Sequence, residues 1–156
     1  MTCKDLVFSP HADDEVLGCG GILNKDSFVY YCGIDESKMA TGKVPINQRL
    51  AELKAVVKFL GIKWGYNKES KVNFYKEHDF ISIFEKLINE LKPERAFIPC
   101  PDYNQDHKAV YNAAWVALRP HDTNFFVKKV LLYETSQHAI WNPFPLKLNY
   151  FVPIDI

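Results

Sequence analysis

Two short stretches hold most of the side chains that could do chemistry. The first reads Ser9-Pro10-His11-Ala12-Asp13-Asp14-Glu15-Val16-Leu17-Gly18-Cys19-Gly20-Gly21. The second reads Pro99-Cys100-Pro101-Asp102-Tyr103-Asn104-Gln105-Asp106-His107. Imidazole and carboxylate together suit zinc or a similar divalent ion. His11, Asp14 and His107 form a three-ligand set that leaves positions for water and substrate, the pattern of a catalytic zinc. Asp13 stands beside a ligand without needing to be one. It is the natural acceptor for a proton from water on the metal.

For these residues to meet, the elements around them must converge. Leu6-Val7-Phe8 reads as a buried strand running into the first stretch, and Ala96-Phe97-Ile98 as another running into the second. Phe28 to Ile34, Ile62 to Tyr66, Val72 to Tyr75 (weakly), Val130 to Tyr133 and Tyr150 to Val152 with Ile154 are further strand candidates. Asp35 to Pro45 reads as a long loop. Ile46, Leu50, Leu53, Val57 and Leu60 recur at helical spacing with Gly61 as a stop, as do Phe80 to Leu91 before Lys92-Pro93. A third such helix runs from about Asp106 towards Pro120. Strand and helix patterns thus alternate. The order implies an α/β fold, a Rossmann-like, doubly wound and mainly parallel sheet with helices on both faces. In such a sheet the loops at the carboxyl ends of the strands share one edge, so the two stretches meet there.

Bulk properties narrow the function classes. The 156 residues, 47% of them hydrophobic, fit a single domain over residues 1–156. Nineteen basic and 19 acidic residues balance, which argues against nucleic acid or an anionic membrane as partner. No apolar run approaches the roughly 18 residues needed to span a bilayer. Met1 to Asp5 leads straight into the first strand and leaves no room for a signal peptide. Cys3, Cys19, Cys32 and Cys100 include no Cys-x-x-Cys pair, so no structural zinc or disulfide framework is indicated, and a reducing cytoplasm is the expected location.

At this point a resemblance becomes specific. Pro-His-x-Asp-Asp-Glu followed by Gly-x-Gly-Gly, with a late Asp-His at a helix start, resembles the zinc-dependent N-deacetylases of the PIG-L/LmbE-like family. The order of elements is similar from Leu6 to about Ile156. Arg49 and Glu52 resemble that family's Arg-x-x-Glu helix, and Asp102-x-Asn104-x-Asp106-His107 resembles one bacterial branch. The resemblance implies His11, Asp14 and His107 as zinc ligands and Asp13 as general base. It also implies removal of an acetyl group from N-acetylglucosamine or a related amino sugar. Two departures stand out. Many members carry a His where this chain has Asn104, and an amide can donate a hydrogen bond to an oxyanion but cannot transfer a proton. The family also usually continues past the position of Ile156 with further helices.

Several residues admit plainer readings. Asp13, Asp14 and Glu15 could simply favour a helix N-terminus. Gly18, Gly20 and Gly21 are an incomplete nucleotide fingerprint, read here as close helix–sheet packing. Arg49 could pair with Glu52 or Glu15, or contact substrate. Cys100 reads as a small buried residue, and His78, His121 and His138 as surface residues. Trp141 and Phe144 read as loop packing.

The expectation is a metal-dependent hydrolase cleaving the N-acetyl amide of a small amino-sugar derivative. Asp13 accepts the water proton, Asn104 helps hold the oxyanion, Asp106 orients His107, and Arg49 contacts substrate. The alternatives are a metal- or sugar-binding relative with weakened turnover and a nucleotide-binding Rossmann-like protein.

Overall fold

A computed structural model describes residues 3–121, 124–135 and 147–153. Five parallel strands form one sheet in the order β3-β2-β1-β4-β5. They are β1 (Asp5–Ser9), β2 (Ser27–Tyr31), β3 (Lys63–Tyr66), β4 (Arg95–Pro99) and β5 (Lys129–Tyr133). Between them lie α1 (Asp14–Cys19), α2 (Ile46–Leu60), α3 (Glu77–Leu91) and α4 (Gln105–Ala117). Central parallel strands are covered on both sides, so they read as unbroken apolar runs rather than alternating ones. All five residues of β1 are buried.

The pleat divides those residues between two cores. Leu6 and Phe8 join Tyr30, Ala96 and Ile98 against Phe80, Phe84 and Ile88 of α3 and Val110, Ala113 and Ala114 of α4. Val7 joins Val29, Tyr31 and Phe97 on the opposite face, against Cys19 of α1 and Leu53 and Val57 of α2. Helices therefore flank both faces, as the alternating order implies. The helix ends follow local chemistry. Gly61 closes α2 in the left-handed region (φ 65°), where a residue without Cβ is at ease. Lys92 closes α3 in the same region just before Pro93, which cannot continue a helix.

Two strand expectations fail. Val72 to Tyr75 forms a turn instead, with only an isolated bridge between Asp35 and Lys71 beside it. Asn73 adopts φ 70° there, and its amide and that of Tyr75 bond to Asp106 rather than to a ladder. Tyr150 to Val152 carries apolar residues but no ladder, and all three side chains are exposed. The Ile154 part of that candidate, with His138, Trp141 and Phe144, lies outside the described residues. No helix among the described residues is long and apolar enough to cross a membrane.

The packing role of Gly18 is borne out. A Cβ there would run into the Tyr133 ring and come within 2.9 Å of the Glu134 carbonyl oxygen. Tyr133 has little room to give, being buried with its hydroxyl donating to the Phe8 carbonyl at 2.8 Å. Gly18→Ala is expected to destabilise the fold by about 1–3 kcal/mol, the usual cost of overpacking. Urea unfolding checks it, and an unchanged midpoint would show that α1 can shift without loss.

The chain proceeds outward from β1 through β2 to β3, then returns to lay β4 on the other side of β1. That reversal is the topological switch point, where open α/β sheets leave a crevice beyond the strand ends. The loops leaving β1 and β4 flank it.

Candidate metal centre

Those two loops carry the residues singled out above. Ligand atoms of His11, Asp14 and His107 all lie within 4.8 Å of one another. Asp14 Oδ2 sits 3.3 Å from both His11 Nδ1 and His107 Nε2, so the three side chains aim at a common point. Asp14 and His107 are buried and His11 is partly so. The same Asp14 oxygen accepts from the His11 backbone amide at 2.9 Å, which folds the loop back on itself.

Each imidazole is held at its other nitrogen by a carboxylate. His11 Nε2 lies 3.1 Å from Asp106 Oδ2, and His107 Nδ1 lies 2.8 Å from Asp102 Oδ2. Asp106 therefore orients His11, not His107 as its place in the sequence suggests. The reason lies in the start of α4. His107 turns its Nε2 to Asp14, so its Nδ1 falls back on the loop, where Asp102 waits. Asp102 is a ring-orienting partner to which sequence reasoning assigns no role. It also accepts from the Asn104 amide at 2.6 Å, so one carboxylate shapes the loop and aims the ring. The signal for it is only its place five residues before a histidine at a helix start.

The donor set suits a divalent ion. Two imidazoles and a carboxylate converge, and each ring is oriented by a carboxylate, an arrangement typical of metal-ligating histidines. The protonation pattern agrees. Burial acts to raise the Asp14 pKa, but hydrogen bonds from His107 and His11 outweigh it and hold the group below the usual carboxylate range. Burial acts to lower the His11 pKa, but the hydrogen bonds to Asp106 and Asp14 raise it to about 9. His107 is raised as well, with burial opposing and Asp14 prevailing. A cation entering at neutral pH must displace a proton from His11, so its affinity falls with falling pH. Asp102→Asn is expected to weaken metal binding by roughly 10–100-fold, as for other orienting partners. Competition against a chelator measures this, and unchanged affinity would make Asp102 a loop residue only.

The cleft in front of the cluster has a volume of about 230 Å³ and is lined by His11, Asp13, Asp14, His107, Asn104 and Arg49, among others. Asp13 is exposed at its mouth, and partial desolvation against the cleft wall, with the neighbouring Asp14, raises its carboxyl above the ordinary value. Asn104 caps α4, its side-chain oxygen accepting from the Asp106 amide at 2.9 Å. The cap uses the oxygen as acceptor, and the NH2 end of the amide is a donor by its chemistry. Arg49 does not reach Glu15. Its Nε and Nη2 donate to Glu36 Oε1 at 2.9 and 2.6 Å, and its Nη1 to Glu52 Oε2 at 3.0 Å. Glu36, in a loop that carries no motif, thus forms part of the cleft wall. Glu15 points away from the cleft, accepting from Tyr31 at 2.9 Å and Ser9 at 3.2 Å, and burial pushes it up to about 7. Cys100 is buried, as expected. Asp106 is fully buried and supports the cleft from behind.

Comparison with known proteins fits this geometry. The fold is similar to that of the conserved protein TT1542 from Thermus thermophilus, with TM-score 0.72 and 22% identity over 92% of this chain and 69% of that one. It is similar to Dbv21, the A40926 pseudoaglycone deacetylase, with TM-score 0.68 and 18% identity over 96% of this chain and 70% of that one. GalB, the 4-carboxy-2-hydroxymuconate hydratase from Pseudomonas putida, is similar with TM-score 0.65 and 17% identity, over 92% of this chain and 70% of that one. No curated protein matches the sequence. A family model described as PIG-L: GlcNAc-PI de-N-acetylase matches residues 6–118, which takes in both loops and all of the His–Asp–His cluster. The chain belongs to the PIG-L family.

Proposed function

We propose that this protein is a metal-dependent hydrolase that removes the acetyl group from the nitrogen of an N-acetylglucosamine-type amino-sugar derivative. The observation that carries the reading is the convergence of His11, Asp14 and His107 at a cleft that also presents Asp13 and Asn104. Zinc suits this ligand set, although iron and cobalt accept the same donors. Such an ion would polarise the amide carbonyl and lower the pKa of water towards about 7.

The remaining work falls to the chain's own side chains. Asp13, at the cleft mouth, takes the proton from the attacking water. An amide nitrogen cannot leave as an anion, so some group must protonate it. Asp13 already holds a proton beside the reacting centre and passes it on, giving acetate and the free amine. The Asn104 NH2 donates to the oxyanion. Arg49, with its charge met by Glu36 and Glu52, forms a wall suited to neutral hydroxyls rather than to a phosphate. Gly18 serves packing against Tyr133, which speaks for the packing reading of that glycine over the nucleotide alternative. Four free buried cysteines accord with a reducing cytoplasm.

Metal content by elemental analysis, measured with acetate release from a panel of N-acetylated sugars, tests the reading. Because a hydratase shares the fold, hydration of an unsaturated carboxylic acid belongs in the same panel. Acetate release that rises and falls with metal supports deacetylation. Hydration without acetate release would overturn it.

Asn104 admits a sharper test now that its cap is visible. Asn104→Ala would remove the cap as well, costing about 0.5–2 kcal/mol. Asn104→Ser keeps a capping oxygen and loses only the NH2 donor. We expect kcat to fall roughly 10²–10³-fold with metal content unchanged. A silent substitution would remove Asn104 from the oxyanion site.

A further inference from the structure

One oxygen atom links the metal cluster to the cleft wall. Asp106 Oδ2 lies 3.1 Å from His11 Nε2 and accepts from the Asn73 backbone amide at 2.6 Å. The other Asp106 oxygen accepts from the Tyr75 amide at 3.3 Å. Asn73 is held at its carbonyl too, where Gln105 Nε2 donates at 2.5 Å. Two successive residues of α4 thus grip both polar groups of a residue in the left-handed region, φ 70°. Tyr75 tightens the assembly, donating from its hydroxyl to the Pro10 carbonyl at 2.8 Å, next to His11. Asn73 and Val72 line the cleft.

We propose that Asp106 is a positioning residue that couples occupation of the metal site to the shape of the substrate cleft. His11 would hold a cation with the nitrogen that faces Asp14, and a ring so held would not be free to turn. Its Nε2–H is then fixed on Asp106, the carboxylate is fixed in turn, and the amides of Asn73 and Tyr75 are held against it. The ligand that sets the wall is a divalent cation, and the segment it orders is the turn at residues 71–75. Coupling of this kind is reciprocal, so loosening the turn must weaken the cation even where no ligand is touched. The inference rests on the metal-site reading but not on the reaction.

Amide hydrogen exchange of the 71–76 segment, with and without zinc, tests it directly. Zinc is expected to slow exchange there in the wild-type protein. Asp106→Asn, loaded at higher zinc, is expected to show the bound metal without the added protection. Gln105→Ala leaves every ligand and both orienting carboxylates in place, and is expected to lose about 5-fold or more in zinc affinity, the low end of ordinary coupling. Equal zinc protection in Asp106→Asn, or none in the wild-type, overturns the proposal, as does unchanged zinc affinity in Gln105→Ala. Failure of zinc to bind at all would overturn it together with the metal site. Zinc-dependent protection without acetate release would leave it standing and sink the deacetylase reading alone.

Discussion

Asp13→Asn is expected to retain its metal and lose most of its turnover. The substitution preserves size and removes only the proton-accepting oxygen. Asp13 bonds to neither imidazole, whereas Asp14 lies 3.3 Å from each, so the cluster should load as before. General-base catalysis typically contributes about 10²–10⁴-fold, and in the proposed reaction the same carboxyl serves both steps. The loss should therefore fall at the upper end of that range, in kcat rather than KM. Removing the carboxyl should also abolish the acid limb of the rate profile that its ionisation produces. Stopped assays on metal-matched protein, with metal content measured on the same samples, decide the matter. A near-normal kcat would move the base elsewhere. Glu15 could not replace it, because that carboxyl faces Tyr31 and Ser9 behind the cleft.

His107→Ala is expected to abolish metal retention at moderate chelator concentration and activity with it. The deletion removes one of the three proposed ligands and leaves Asp102 buried without the ring it orients. Part of the cost is offset, because Asp102 keeps its bond from the Asn104 amide at 2.6 Å and the α4 cap persists. His107 nevertheless sits almost fully buried at the start of α4, so a cavity adds some loss of stability. Elemental analysis after dialysis, with circular dichroism to verify the fold, separates the two effects. Normal metal content in a folded, active His107→Ala protein would show that the cluster does not hold the catalytic ion.

Much of this arrangement was legible in the sequence because it follows from simple periodicities. Unbroken apolar runs at Leu6–Phe8 and Ala96–Ile98 mark strands covered on both faces, and Gly61 and Pro93 mark helix ends through their backbone limits. The alternation of elements then brings His11 and His107 to one edge. What the sequence concealed is side-chain direction. Asp106 adjoins His107 in the chain yet serves His11, since successive helix residues point about 100° apart. Glu36 gave no signal in its loop, because its partner Arg49 belongs to another element. Val72 to Tyr75 has strand-like composition, but the amides of Asn73 and Tyr75 are claimed by a carboxylate from α4, and tertiary bonds outweigh a weak β preference.

The switch point between β1 and β4 has a consequence for how the molecule assembles in time. These neighbours are distant in the chain, as the 95 positions separating His11 from Asp106 show. Local hairpins cannot bring them together, because β1 and β4 are parallel and joined through helical crossovers. Contacts of such long sequence separation carry a high closure entropy and form slowly. The proposed ion's complete binding site therefore exists only once the central pair has closed. A cation that finds its ligands only after that closure has little to offer the folding step, and its stabilisation appears as slower unfolding. Metal would then act as a lock on a finished sheet, setting how long the native state persists rather than how fast it is reached.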